Sequence, residues 1–169
     1  MDAQDLDRWV GSIGETMTET SELLGLGTCT PREALDGLPS GLAGAHMSIT
    51  GSTGAIHLGV LAPLAAHQQI AKRMLAMEIE DEDLPVGDLA DAVGEIANII
   101  AGGVKSALSE WDDDLRLGLP VFIEGNIERS AGVAARTLRF DIDGAQVSVV
   151  VLVQTNAQDK IRFGRSDAA

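Results

Sequence analysis

The sequence predicts an α+β domain of two layers, a mainly antiparallel β-sheet with long helices on one face. Three observations carry this prediction. Apolar residues recur at helical spacing over long stretches near residues 4–26, 63–77 and 88–110. Strand-like runs joined by short turns lie between and after them, and such hairpins impose antiparallel pairing. Hydrophobic residues make up 45% of the 169-residue chain, enough to bury a real core in one domain of ordinary size.

Taken in order, residues 4–26 set Leu6, Trp9, Val10, Ile13, Met17, Leu23 and Leu24 on a helical repeat, which Gly25 and Gly27 end. Residues 27–44 are rich in Gly, Pro and Thr and read as irregular. Strands are expected at 46–51 and 55–60, joined at Ser52-Thr53-Gly54. Pro63 suits the first turn of a helix to about Met77. An acidic connector, 78–83, leads through Pro85 to a second long helix at 88–110. Three strands are expected at 115–124, 134–142 and 145–154, with Asp143-Gly144 as a hairpin turn between the last two. Residues 1–155 read as one domain and 156–169 as a polar tail. A weak repeat of helix plus strands is open, resting on a seven-residue match that is little evidence by itself. Residues 93–99 align with 10–16 at three of seven positions, so Ser12 stands in the place of Glu95 and Glu15 in that of Asn98.

Composition narrows the function. Acidic residues outnumber basic ones 26 to 12, a formal charge of −14, which repels nucleic acid and anionic membranes but tolerates a positive or metal-bearing partner. With three Phe, two Trp and no Tyr, the core must be aliphatic. The lone Cys29 cannot form an intramolecular disulfide or a multi-cysteine zinc site and reads as structural. The acidic N-terminal residues do not resemble a signal peptide, and no apolar run approaches the ~18 residues that suggest a membrane span. A cytoplasmic location is expected.

The informative segment is residues 88–110. A helix advances by roughly 100° per residue, which places Glu95, Asn98 and Gly102 within roughly 40° of Asp91. Leu89, Val93, Ile96, Ile100, Val104 and Ala107 fall on the opposite side as a core-facing stripe. Lys105 and Ser109 lie beside the polar line. An ordinary wet outer face would explain the charges but not all of the pattern. Asn98 is a poor mid-helix residue, and interior Gly102 and Gly103 each cost on the order of 1 kcal/mol relative to Ala. Gly103, on the apolar side, is expected to allow close packing on the sheet. Gly102, on the polar line, looks shaped for close approach by another protein.

The pattern Asp91-x-x-x-Glu95-x-x-Asn98-x-x-x-Gly102 resembles the signature of the CheC, CheX and FliY chemotaxis phosphatases, and the run GEIANIIAGGVKSAL is most similar to CheX. The resemblance implies the CheC/CheX-like fold and hydrolysis of the aspartyl phosphate on a CheY-type receiver domain. It assigns water positioning to Asn98, docking on a receiver lysine to Glu95, and further partner contact to Asp91, Gly102 and Lys105. It implies no cofactor of the chain's own, the Mg²⁺ being expected on the receiver. Ser12 and Glu15 do not reproduce the acid–amide pair, so the one-site form is expected. The resemblance also implies a homodimer through the sheets, for which the charge-free, β-branched residues 145–153 offer a strand, unless they form a central strand covered on both sides. The alternative is a non-catalytic interaction module in a chemotaxis, flagellar-switch or two-component signalling assembly. His46, His57 and His67 are dispersed along the chain without metal-ligand spacing, and Gly51, Gly54 and Gly59 read as turn and strand-edge residues.

Overall fold

The computed structural model describes residues 3–52, 54–128 and 131–154; the expected polar tail lies outside the described residues. Among them are α1 (Ala3–Leu23), β1 (Cys29–Asp36), β2 (Ala43–Gly51), β3 (Gly54–Ala62), α2 (Leu64–Met74), α3 (Val86–Ala107), β4 (Arg116–Leu117), β5 (Val121–Glu124), β6 (Val133–Ile142) and β7 (Ala145–Gln154). The strands form one sheet in the order β1-β6-β7-β3-β2-β4, with β5 also pairing β2, and every described pairing is antiparallel. This is the α+β arrangement expected from the hairpins.

Alternation within the strands fixes the two faces. Val147, Val149, Val151 and Val153 of β7 share a face with Ile56, Leu58 and Val60 of β3 and with Ala45, Met47 and Ile49 of β2, all buried. The helices lay their apolar sides there: Leu6, Trp9, Ile13 and Met17 of α1, Ile70 of α2, and Leu89, Val93, Ile96, Ile100 and Val104 of α3. The core is aliphatic, with Trp9 its one buried tryptophan among the described residues. Ala107, expected in the stripe, is exposed, because the helix ends there.

The β6–β7 hairpin turns as the sequence predicts. Asp143 and Gly144 both take positive φ, 46° and 88°, as a two-residue type I′ turn requires, and Ile142 pairs with Ala145.

Four expectations need correction. Residues 27–44 are not irregular throughout, since Cys29–Asp36 forms β1 at the sheet edge, paired with β6 and bulged between Arg32 and Leu35. Pro31 is tolerated because an edge strand leaves one side unpaired. The single strand expected at 115–124 is two, interrupted at residues 118–120. The stretch 145–153 is no free edge: β7 is central, paired with β6 on one side and β3 on the other, so it offers no surface for joining two sheets. Its apolar character comes from burial on both faces, Val150 being 1% exposed on the face away from the helices. Residues 37–42, linking β1 to β2, cross that face; the hydroxyl of Thr137, the ladder partner of Val150, donates to Gly37 O at 2.6 Å. Finally, Gly59 lies mid-strand, where a Cβ would come within 2.8 Å of the His46 ring.

The connector into α3 is anchored. Lys72 of α2 is buried, and its Nζ donates to Ile79 O (3.1 Å), Asp81 O (2.6 Å) and Asp83 Oδ1 (2.9 Å). A buried ammonium with all three protons engaged meets the condition under which burial of charge is tolerated. Gln68 clamps both backbone groups of Leu84, donating to its carbonyl and accepting from its amide, each at 2.9 Å. The acidic run is thus wound around a cation and delivers the chain to α3 in fixed register.

Candidate functional site

The site is built on α3, which spans 22 residues without a break at Gly102-Gly103. Its start after Pro85 lacks a side-chain cap, but Asp88 in the first turn and Lys105 in the last complement the helix dipole. The helix is buried on most of its circumference. Leu89, Val93, Ile96 and Ile100 pack into the core, and Ala92, Gly94, Ala97 and Ala101 are buried as well. What remains outside is a narrow line that includes Asp91, Glu95, Asn98 and Lys105, all exposed, with Gly102 partly exposed. A Cβ on Gly102 would meet nothing within 4 Å, so internal packing does not require glycine there. Gly103 differs: a Cβ would come within 2.5 Å of Thr16 Cγ2. Its close approach is therefore to α1, not to the sheet as expected.

Residues three and four apart on a helix are neighbours, roughly 5–6 Å between Cβ atoms, so Asp91, Glu95 and Asn98 form a contiguous acidic and amide surface. Among the described residues no side-chain hydrogen bond or ion pair engages any of the three. The helix forms one wall of an open groove of about 320 Å³, presenting Asp91, Gly94, Glu95 and Asn98. The other wall is Leu119, Pro120 and Phe122. A Cβ on Gly94 would lie 3.6 Å from Pro120 Cγ, ordinary van der Waals contact, so the two walls meet at this point of the helix. This second wall was not anticipated. The sequence signal for it was Gly118-Leu119-Pro120 inside an otherwise strand-like run, since proline interrupts a ladder. A larger depression, about 560 Å³, lies beside Arg32, Arg139 and Ser148 on β1, β6 and β7 and contains none of the expected site residues.

The corresponding positions on α1 are arranged differently. Ser12 is buried, its hydroxyl without a partner among the described residues, while Glu15 is exposed. The acid–amide pair is therefore absent from α1 in geometry as well as in composition.

The histidines do not converge on α3. His67 is buried, with Nε2 2.8 Å from Ala43 O, so that nitrogen carries the proton. Burial lowers its pKa, partly opposed by that hydrogen bond. His46 of β2 and His57 of β3 share the face of the sheet away from the helices. Burial, and secondarily the charge of His57, lowers the pKa of His46. Burial raises the pKa of the half-buried Cys29 thiol against hydrogen bonds from Ser21 and Thr18. Among the described residues no group of three or more His, Cys, Asp or Glu side chains could hold a metal ion.

The family model described as chemotaxis phosphatase CheX matches residues 43–140, a span holding β2 to α3 and both walls of the groove. The chain belongs to the CheX family. A search of curated proteins finds no match. Solved structures share the fold at low identity. The chemotaxis protein CheX from Vibrio vulnificus is 17% identical at a TM-score of 0.71, over 85% of this chain and 97% of that one. A CheC-like superfamily protein from Shewanella is 15% identical at 0.74, over 90% and 98%. The Borrelia burgdorferi CheX-CheY-BeF3-Mg complex contributes a chain 14% identical at 0.66, over 89% and 97%. Among the described residues no helix is long and apolar enough to cross a membrane.

Proposed function

We propose that this CheX-family protein hydrolyses the aspartyl phosphate of a CheY-type receiver domain in the cytoplasm. The observation that carries the reading is a carboxylate, Glu95, and a carboxamide, Asn98, side by side on a rigid helix, exposed and unengaged by described residues. The carboxylates of Asp91 and Glu95 would repel a free phosphate ester. The same surface suits a partner that carries the phosphoryl group together with its own Mg²⁺ and lysine. Phosphoryl transfer depends chiefly on positioning and charge stabilisation, so a phosphatase of this kind needs little covalent chemistry.

In this mechanism Asn98 Oδ1 accepts a hydrogen bond from a water and holds it in line with the phosphorus. The carboxamide does this without adding negative charge. The water oxygen bonds to phosphorus as the bond from phosphorus to the aspartyl oxygen breaks, the aspartate leaves as a carboxylate, and both protons of the water go with inorganic phosphate as dihydrogen phosphate. Glu95 pairs with a lysine of the receiver, Asp91 adds to that docking, Gly102 gives clearance and Lys105 borders the contact.

The test is receiver dephosphorylation at substoichiometric protein, which a non-catalytic module would not accelerate. Asn98→Ala should lower the single-turnover rate by about 10², judged by the loss of one oxyanion-hole donor, with binding to a beryllofluoride-trapped receiver nearly unchanged. Glu95→Ala should weaken that binding by roughly 2 kcal/mol or more, as expected for truncating one member of a desolvated charge pair. An Asn98→Ala variant that lost binding but kept its rate at saturation would overturn the assignment.

A further inference from the structure

The interruption between β4 and β5 has a definite geometry. Leu117 pairs with Ile49 and Val121 with His46, so two residues of β2 face three, Gly118, Leu119 and Pro120. This is a β-bulge, a device that re-aims a side chain and is common beside active sites. Gly118 N still donates to Ser48 O at 2.8 Å, which holds the start of the bulge to the sheet. Pro120 rests beside Gly94 of α3. Leu119 is thrown outward and is 86% exposed, the most exposed large hydrophobic residue among those described, while lining the groove with Asp91, Glu95 and Asn98. Leu119 does not stand alone: with Pro120 and Phe122 it makes a continuous apolar wall facing the polar line of α3, and such a contiguous patch marks an interaction surface.

We propose that Leu119, with Pro120 beside it, is an apolar docking shelf for the phosphorylated receiver. The inference rests on the receiver reading above. The occupant follows from the groove's two walls. One is anionic through Asp91 and Glu95; the other is apolar through Leu119 and Pro120. A surface complementary to both presents a lysine next to an aliphatic side chain, at the rim of its own phosphorylated carboxylate. Leu119 then acts as an interface anchor placed against the reacting centre, and touches neither the water nor the phosphoryl group.

The experiment is titration of the full chain and its Leu119→Ser and Leu119→Met variants with a receiver trapped by beryllofluoride and Mg²⁺. Single-turnover dephosphorylation and light scattering accompany it. Leu119→Ser, at a site so exposed, leaves the fold intact. It should weaken receiver binding about tenfold, the loss typical of an apolar anchor, with the rate at saturating receiver unchanged. Leu119→Met should restore most of the affinity. Unchanged affinity in Leu119→Ser, while Asn98→Ala still loses its rate, overturns the shelf and leaves the phosphatase reading standing. Loss of self-association with receiver affinity intact also overturns it, by giving Leu119 to contact between copies. If the wild-type chain bound no receiver, both readings would fall together.

Discussion

The two long helices α1 and α3 pack against each other and use their polar residues in opposite ways. On α1, Ser12, Thr16, Thr20 and Ser21 are all buried, and Ser21 Oγ donates back to Met17 O at 2.8 Å. Small hydroxyl residues let α1 come close to its neighbours, and Thr16 sits where Gly103 of α3 leaves room for it. At its C-terminal end α1 instead exposes Leu23, 79% accessible. On α3 the buried side is almost wholly aliphatic, and the polar residues form the exposed line. Helix α1 packs its small hydroxyl residues inward and exposes its described charged ones, whereas α3 turns none of its charged or amide side chains inward.

That contrast can be tested in order of expected effect. The widest separation should appear in catalysis. A Ser12→Ala/Glu15→Ala double variant is expected to keep the wild-type single-turnover rate, against the loss of about 10² for Asn98→Ala. A comparable loss from the α1 variant would show that α1 carries a second site. The next effect is on stability. Gly103→Ala should cost roughly 1–3 kcal/mol in denaturant unfolding, because the added methyl overlaps Thr16 in a packed interface. Adding Thr16→Ser, which removes the opposing Cγ2, should recover part of that loss; strictly additive effects would place the strain elsewhere. The smallest effect has the opposite sign. Gly102→Ala has open space around its Cβ and should stabilise the chain by up to about 1 kcal/mol through helix propensity, yet weaken receiver binding. A stabilised variant with full affinity would remove the proposed role of Gly102 in clearance.

The sequence made α3 legible because a helix with a buried apolar side and a narrow exposed polar line displays both as a period. The hairpins were legible because turn chemistry is local; Asp143-Gly144 needs nothing from the rest of the chain. Elements whose identity depends on distant partners were not. β1 carries Pro31, Arg32 and Glu33 and shows no apolar alternation, since residues 30–35 are exposed and only pairing to β6 makes them a strand. The apolar run of β7 suits an unprotected edge and a central strand equally well, and the position of β3 decides between them. The groove's second wall escaped notice because a bulge is defined against its partner strand. The run around Pro120 discloses a break, but only the register with β2 shows that Leu119 is the displaced residue.

The order of strands also constrains how the chain can be made. β1 and the β2–β3 hairpin are separated in the sheet by β6 and β7, whose residues 133–154 come late in synthesis. A ribosome moving from the N-terminus releases two sheet fragments that have nothing between them. Their facing edges stay unpaired until the last hairpin arrives, and pairings so distant in sequence are slow to form. Helix α1 meets the same wait, because β6, with which it is in contact, has not yet been translated. The nascent chain is thus open to aggregation along those edges for as long as residues 133–154 remain in the exit tunnel.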